Sequence, residues 1–119
     1  MDIVLVVSAI ATLFVVIALA EPLAERLRLP MSRLAKLAHV NRNTMTARPE
    51  SPAVQAKLGE IARIIARAAE LAGDEGRAII WFKHQPIAGF GKTAEELVED
   101  GHADAVMWTL ESMDQGAYA

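Results

Sequence analysis

The sequence predicts an all-α protein, a small helical bundle, on three observations. Apolar residues make up 53% of the chain while aromatics are only 5%, with Ala, Leu, Ile and Val dominant, the composition of helices packed through small aliphatic side chains. Apolar positions recur at helical spacing along most of the 119 residues. Pro and Gly, which end helices, punctuate those stripes at short intervals. There is no cysteine, which excludes disulfides, thiolate metal sites and cysteine nucleophiles.

The first element is an apolar helix in residues 1–21. Ile3 to Ala20 is a run of 18 residues without charge, Gly or Pro. As a helix it would be about 27 Å long, enough to reach across a bilayer core. Asp2 precedes it and Arg26, Arg28, Arg33 and Lys36 follow, so a spanning helix would leave the rest of the chain in the cytoplasm. A cleaved signal peptide fits less well, because no Lys or Arg precedes the run. A misassigned start and a helix buried in an oligomer, such as a homodimer, are the other readings. The expected location is therefore the cytoplasm, with anchoring to the inner membrane through residues 3–20 left open.

Residues 22–52 read as a helix-turn-helix. Pro22 suits a first helical turn, Leu23 and Leu27 share a face, and Leu29-Pro30 closes this short helix. Ser32 is the expected N-cap of the next, in which Leu34, Leu37 and Ala38 form a stripe. A tight Val40-Asn41 connection leads to a polar helix closed by Pro49. The candidate DNA contacts are Arg33, Lys36, Asn41, Arg42, Asn43, Thr44, Thr46 and Arg48. Asn can bond an adenine edge twice, Arg a guanine, and Thr or Lys a phosphate. An ordinary solvated helical hairpin is the competing reading. His39 has no ligand partner at metal-binding spacing and is expected at the surface or facing DNA.

Residues 53–119 form the remaining unit. Glu50-Ser51-Pro52 opens a long helix whose stripe is Val54, Leu58, Ile61, Ile65, Ala68 and Leu71, ending at Ala72-Gly73. Asp74 caps a helix carrying Trp81 and Phe82, whose rings are expected to anchor the core before Pro86. Gly89 and Gly91 permit tight turns around Phe90, which is expected to be buried. Thr93 caps the helix Ala94 to Glu99 with Glu96 in capping-box position. Gly101 ends it, and His102 to Met113 forms the last helix, with Val106, Leu110 and Met113 on one face. Gly91-Lys92-Thr93 lacks the spacing and the preceding strand of a phosphate-binding loop.

Charge divides the chain. Residues 22–69 carry nine Lys/Arg against three Asp/Glu, a net of +6, and residues 70–119 carry three against ten, a net of −7. Such a division fits a polyanion partner for the first segment and a basic one for the second, or a surface that pairs with itself.

The run Leu34-Ala35-Lys36-Leu37-Ala38-His39-Val40-Asn41-Arg42-Asn43-Thr44 looks like a degenerate Xre-type helix-turn-helix. Gly73-Asp74-Glu75, Ala78-Ile79-Ile80-Trp81-Phe82, Pro86-Ile87, Phe90 to Val98, Gly101 and Asp104-Ala105-Val106 follow in an order that resembles the toxin-binding domain of Xre/MbcA/ParS antitoxins. Ala94 stands where that family often has Pro, and one Gly beside Phe90 where a Gly-Gly pair is frequent. The first 20 residues fall outside the resemblance. It implies an antitoxin of a type II toxin-antitoxin system, which binds and occludes a cognate RES-domain-like toxin and represses its own operon through operator DNA. By position it implies toxin contacts at Phe90, Gly91, Lys92, Thr93, Glu111, Asp114, Gln115, Gly116 and Tyr118. Occlusion requires no catalytic residue, cofactor or metal, and His39, His84 and His102 fall in separate elements. A membrane-anchored helical adaptor with no toxin partner is the alternative function.

Overall fold

The computed structural model describes residues 20–48 and 51–115. The apolar run up to residue 19, and Gly116 and Tyr118 of the expected toxin-contact tail, lie outside them. Seven helices are described: α1 (Ala20–Leu27), α2 (Met31–Leu37), α3 (Arg42–Ala47), α4 (Pro52–Ala72), α5 (Glu75–His84), α6 (Ala94–Glu99) and α7 (Ala103–Asp114). The fold is all-α, as expected. Between α5 and α6 a minimal antiparallel pair joins β1 (Pro86–Ile87) to β2 (Lys92–Thr93), with Pro86 opposite Thr93 and Ile87 opposite Lys92. No helix among the described residues is long and apolar enough to cross a membrane.

Helix α4 is the spine, 21 residues long. Ser51 Oγ accepts from the amide of Val54, Pro52 occupies the first turn, and Gly73 ends the helix in the left-handed region at φ 91°. Its stripe of Val54, Leu58, Ile61, Ile64, Ile65 and Ala68 is buried, and α5 and α7 pack along it. Leu71, at the end of the expected stripe, is partly exposed. The buried side chains form one cluster from Leu23 to Leu110, so the core runs without a break across residues 22–52 and 53–119.

Two earlier helices end in an unexpected way. At the end of α1 the amides of Arg28 and Leu29 bond back to Glu25 and Ala24, and at the end of α2 those of His39 and Val40 bond to Lys36 and Ala35. Each is a Schellman closure, whose pivot residue must be left-handed. The pivots are Arg28 (φ 54°) and His39 (φ 57°), where glycine would be the easy choice. The start of α2 also differs from expectation. Pro30, extended at φ −65° and ψ 155°, precedes the helix and its carbonyl accepts from Arg33 and Leu34, so Ser32 lies within the first turn and caps nothing.

The aromatic residues divide. Phe82 is fully buried among aliphatic side chains, but Trp81 is half-buried at the edge of the core. Phe90 is 46% exposed, contrary to the expected burial. The β1–β2 pairing makes residues 88–91 the tip of a hairpin, with Gly89 and Gly91 at positive φ, and the buried position falls to Ile87 instead.

Truncating Phe82 removes the largest fully buried side chain, so Phe82→Ala should lower the unfolding free energy by about 3–5 kcal/mol. Ile80→Ala, two residues away on the solvent side of α5, should stay within about 0.5 kcal/mol. Urea denaturation of the two variants measures both.

Candidate partner surfaces

Helix α3 is six residues long, about 9 Å. Buried Met45 seats it, and Arg42, Asn43, Thr44, Thr46 and Arg48 are exposed. Two of the expected DNA-contact side chains serve the helix itself. Asn41 is the N-cap, its Oδ1 accepting from the amide of Asn43 at 2.7 Å, and Thr46 Oγ1 donates to the carbonyl of Arg42 at 3.0 Å. The heads of Arg42, Asn43, Thr44 and Arg48 remain open to solvent.

Arg33 and Lys36 are engaged elsewhere. Arg33 pairs with Glu99 at 2.8 Å and Glu95 at 3.6 Å, and Lys36 with Glu99 at 3.2 Å, stapling α2 to α6. Hydrogen bonds from Arg33 and then Lys36 hold the Glu99 carboxyl below the usual carboxylate range. His39 reinforces the same junction by donating from Nε2 to the carbonyl of Val98 at 3.2 Å. It is exposed, in keeping with the expected surface position, with its ring nitrogen turned to α6.

The expected toxin contacts likewise sort into structural and open positions. Thr93 is buried in a complete capping box with Glu96. Lys92 Nζ lies 2.6 Å from Asp100, a contact that raises the lysine's pKa and ties the hairpin to the end of α6. Glu111 and Asp114 meet on one guanidinium: Arg67 of α4 bonds Glu70 at 2.6 Å, Glu111 at 3.1 Å and Asp114 at 2.6 Å. These bonds push the Arg67 pKa up and clamp the last turns of α7 to the spine. Phe90, Gly91 and Gln115 stay exposed.

Trp108, which the sequence reading passed over, is 64% exposed on the outer face of α7. Its helical phase was the available signal, since it lies two residues from both Val106 and Leu110 and so points away from their buried face. A cleft of about 590 Å³ runs between the hairpin and α7, lined by Phe90, Lys92, Leu97, Asp100, His102, Asp104 and Ala105. Trp108 follows Asp104 and Ala105 by one turn on the same face. Phe90 thus lines the cleft, and Trp108 stands exposed one helical turn beyond its α7 wall. Among the described residues no group of His, Asp and Glu could hold a metal ion.

Because the folded Glu99 pKa is depressed, its ion pairs stabilise the protein above the unfolded carboxylate value, about pH 4.3, and that contribution is lost as pH falls through the lower folded value. Parent and Glu99→Gln should therefore differ in melting temperature at pH 7 and converge toward pH 3, as thermal melts across that range will report. Comparison of the chain with family profiles, with curated proteins and with solved structures found no match.

Proposed function

We propose that the chain is an antitoxin that neutralises a cognate RES-domain-like toxin by docking on it through the surface bearing Phe90 and Trp108. One observation carries this reading: two large aromatic side chains stand exposed in the acidic half of a small protein, Phe90 in a cleft and Trp108 one turn beyond that cleft's α7 wall. Exposed Trp and Phe are the residues that anchor protein interfaces, and the side chains that fill a partner's pockets supply most of its binding energy. Asp104 adds a carboxylate to the same helix beside the cleft, which favours a basic partner and speeds encounter with it. The resemblance to Xre/MbcA/ParS antitoxins implies that this partner is a toxin and that the tail from Gln115 to Ala119 lies near its active-site cleft. Helix α3, with Arg42, Asn43, Thr44 and Arg48 open to solvent, serves as the reader of operator DNA.

Co-expression with a RES-domain-like toxin tests this. Trp108→Ala should weaken toxin binding by at least about 2 kcal/mol, roughly 30-fold in Kd, and deletion of residues 115–119 should abolish protection without unfolding the chain. Full protection by both variants would sink the reading in favour of a helical adaptor. Arg42→Ala combined with Asn43→Ala should weaken operator binding in a gel shift and leave toxin binding intact, and an unchanged shift would remove the DNA-reading role.

A further inference from the structure

We propose that the cleft between the end of α1 and the outer face of α5 binds a small phosphate monoester with an aliphatic group. The cleft has a volume of about 370 Å³ and is lined by Arg28, Gly76, Ile79, Ile80, Lys83 and His84. Three of these residues are basic and none is acidic. They come from segments some 55 residues apart, so only the fold brings them together.

The two fixed cations are held in different ways. Lys83 is half-buried, its Nζ donating to the carbonyl of Leu27 at 3.0 Å and lying 3.5 Å from that of Arg28. Those contacts hold the ammonium at the cleft wall and leave it a proton to donate to a ligand. Arg28 is the left-handed pivot of the α1 closure, where a side chain costs conformational energy that glycine would avoid. Nearby Arg26 is paired with Glu75, whereas the exposed Arg28 has no ion-pair partner among the described residues. An arginine at this strained position with its guanidinium unspent is free to meet a ligand.

The remaining lining sets the ligand's other half. Ile80 is 62% exposed and with Ile79 forms an apolar wall, and Gly76 contributes no side chain. A phosphate monoester carries a charge of about −1.5 to −2 at neutral pH, which matches Arg28 and Lys83 together, and its aliphatic part would lie on the two isoleucines. His84 adds a third donor at the rim. None of these residues belongs to the Phe90–Trp108 surface, so the site stands independently of the antitoxin reading.

A soluble monoester and the headgroup of an anionic lipid share this chemistry, and titration separates them. The full 119-residue chain would be titrated with inorganic phosphate, with hexyl phosphate, and with phosphatidylcholine vesicles with and without phosphatidic acid. Hexyl phosphate should give saturable amide shifts at Gly76, Ile80 and Lys83 and bind about tenfold more tightly than inorganic phosphate, the gain expected from burying two methylene groups. Arg28→Gly should weaken it by about tenfold or more while melting at or above the parent temperature, because the strain is relieved as the ligand contact is lost. Shifts that never saturate, unchanged binding by Arg28→Gly, or binding confined to phosphatidic acid vesicles would each overturn the proposal, the last in favour of a lipid surface.

Discussion

One stripe of aliphatic side chains on α4, from Val54 to Ala68, seats α5, α7 and α1, and the remaining helices pack on those in turn. A 21-residue helix presents that stripe over about 30 Å, long enough for two helix layers to find purchase on it. Helices α5 and α7 take its C-terminal part, and α1 contacts it as well. With so few aromatic residues, the core is filled by small branched side chains, and Phe82, the one buried ring among the described residues, supplies bulk that no aliphatic neighbour could replace. That arrangement places α7 so that Val106 and Leu110 turn inward, which obliges Trp108 to face out.

Ion pairs then fix what the core leaves adjustable. Arg26–Glu75, Arg33–Glu99, Lys36–Glu99 and Arg67–Glu111 all run from the basic half of the chain to the acidic half. Much of the charge asymmetry that invites thoughts of external partners is thus spent within the molecule. Each such exposed pair contributes little by itself. Together they set the relative position of α2 and α6, and of α4 and α7, where packing of small side chains alone would allow sliding. Arg28, Arg42, Arg48, Lys57 and Arg63 have no such partner among the described residues and are accordingly arginines and lysines with charge left to offer.

How much of this was legible in the residues follows the range of the interaction. The caps at Asp74 and Thr93, the capping-box Glu96 and the stop at Gly73 are local chemistry, and each appears where its neighbours implied. The closures at Arg28 and His39 were illegible, because a left-handed residue that is not glycine leaves no mark in the sequence. Phe90 was misjudged for a related reason: the flanking glycines signal a tight turn but not which side of it faces the core. The partners of Arg33, Lys36, Glu111 and Asp114 lie tens of residues away, beyond the reach of any spacing rule. Candidate contacts named from composition therefore divided into those that hold the fold and those that stay open.

The continuous cluster from Leu23 to Leu110 bears on how such a chain can change over time. Where two units are joined only by a linker, one can be exchanged for another by recombination with little loss. Here a transplanted α1–α3 segment would have to bring its own match for the faces of α4 and α6, and for the carbonyl that His39 meets at Val98. Change is consequently easier to reach by substitution at exposed positions than by swapping whole segments.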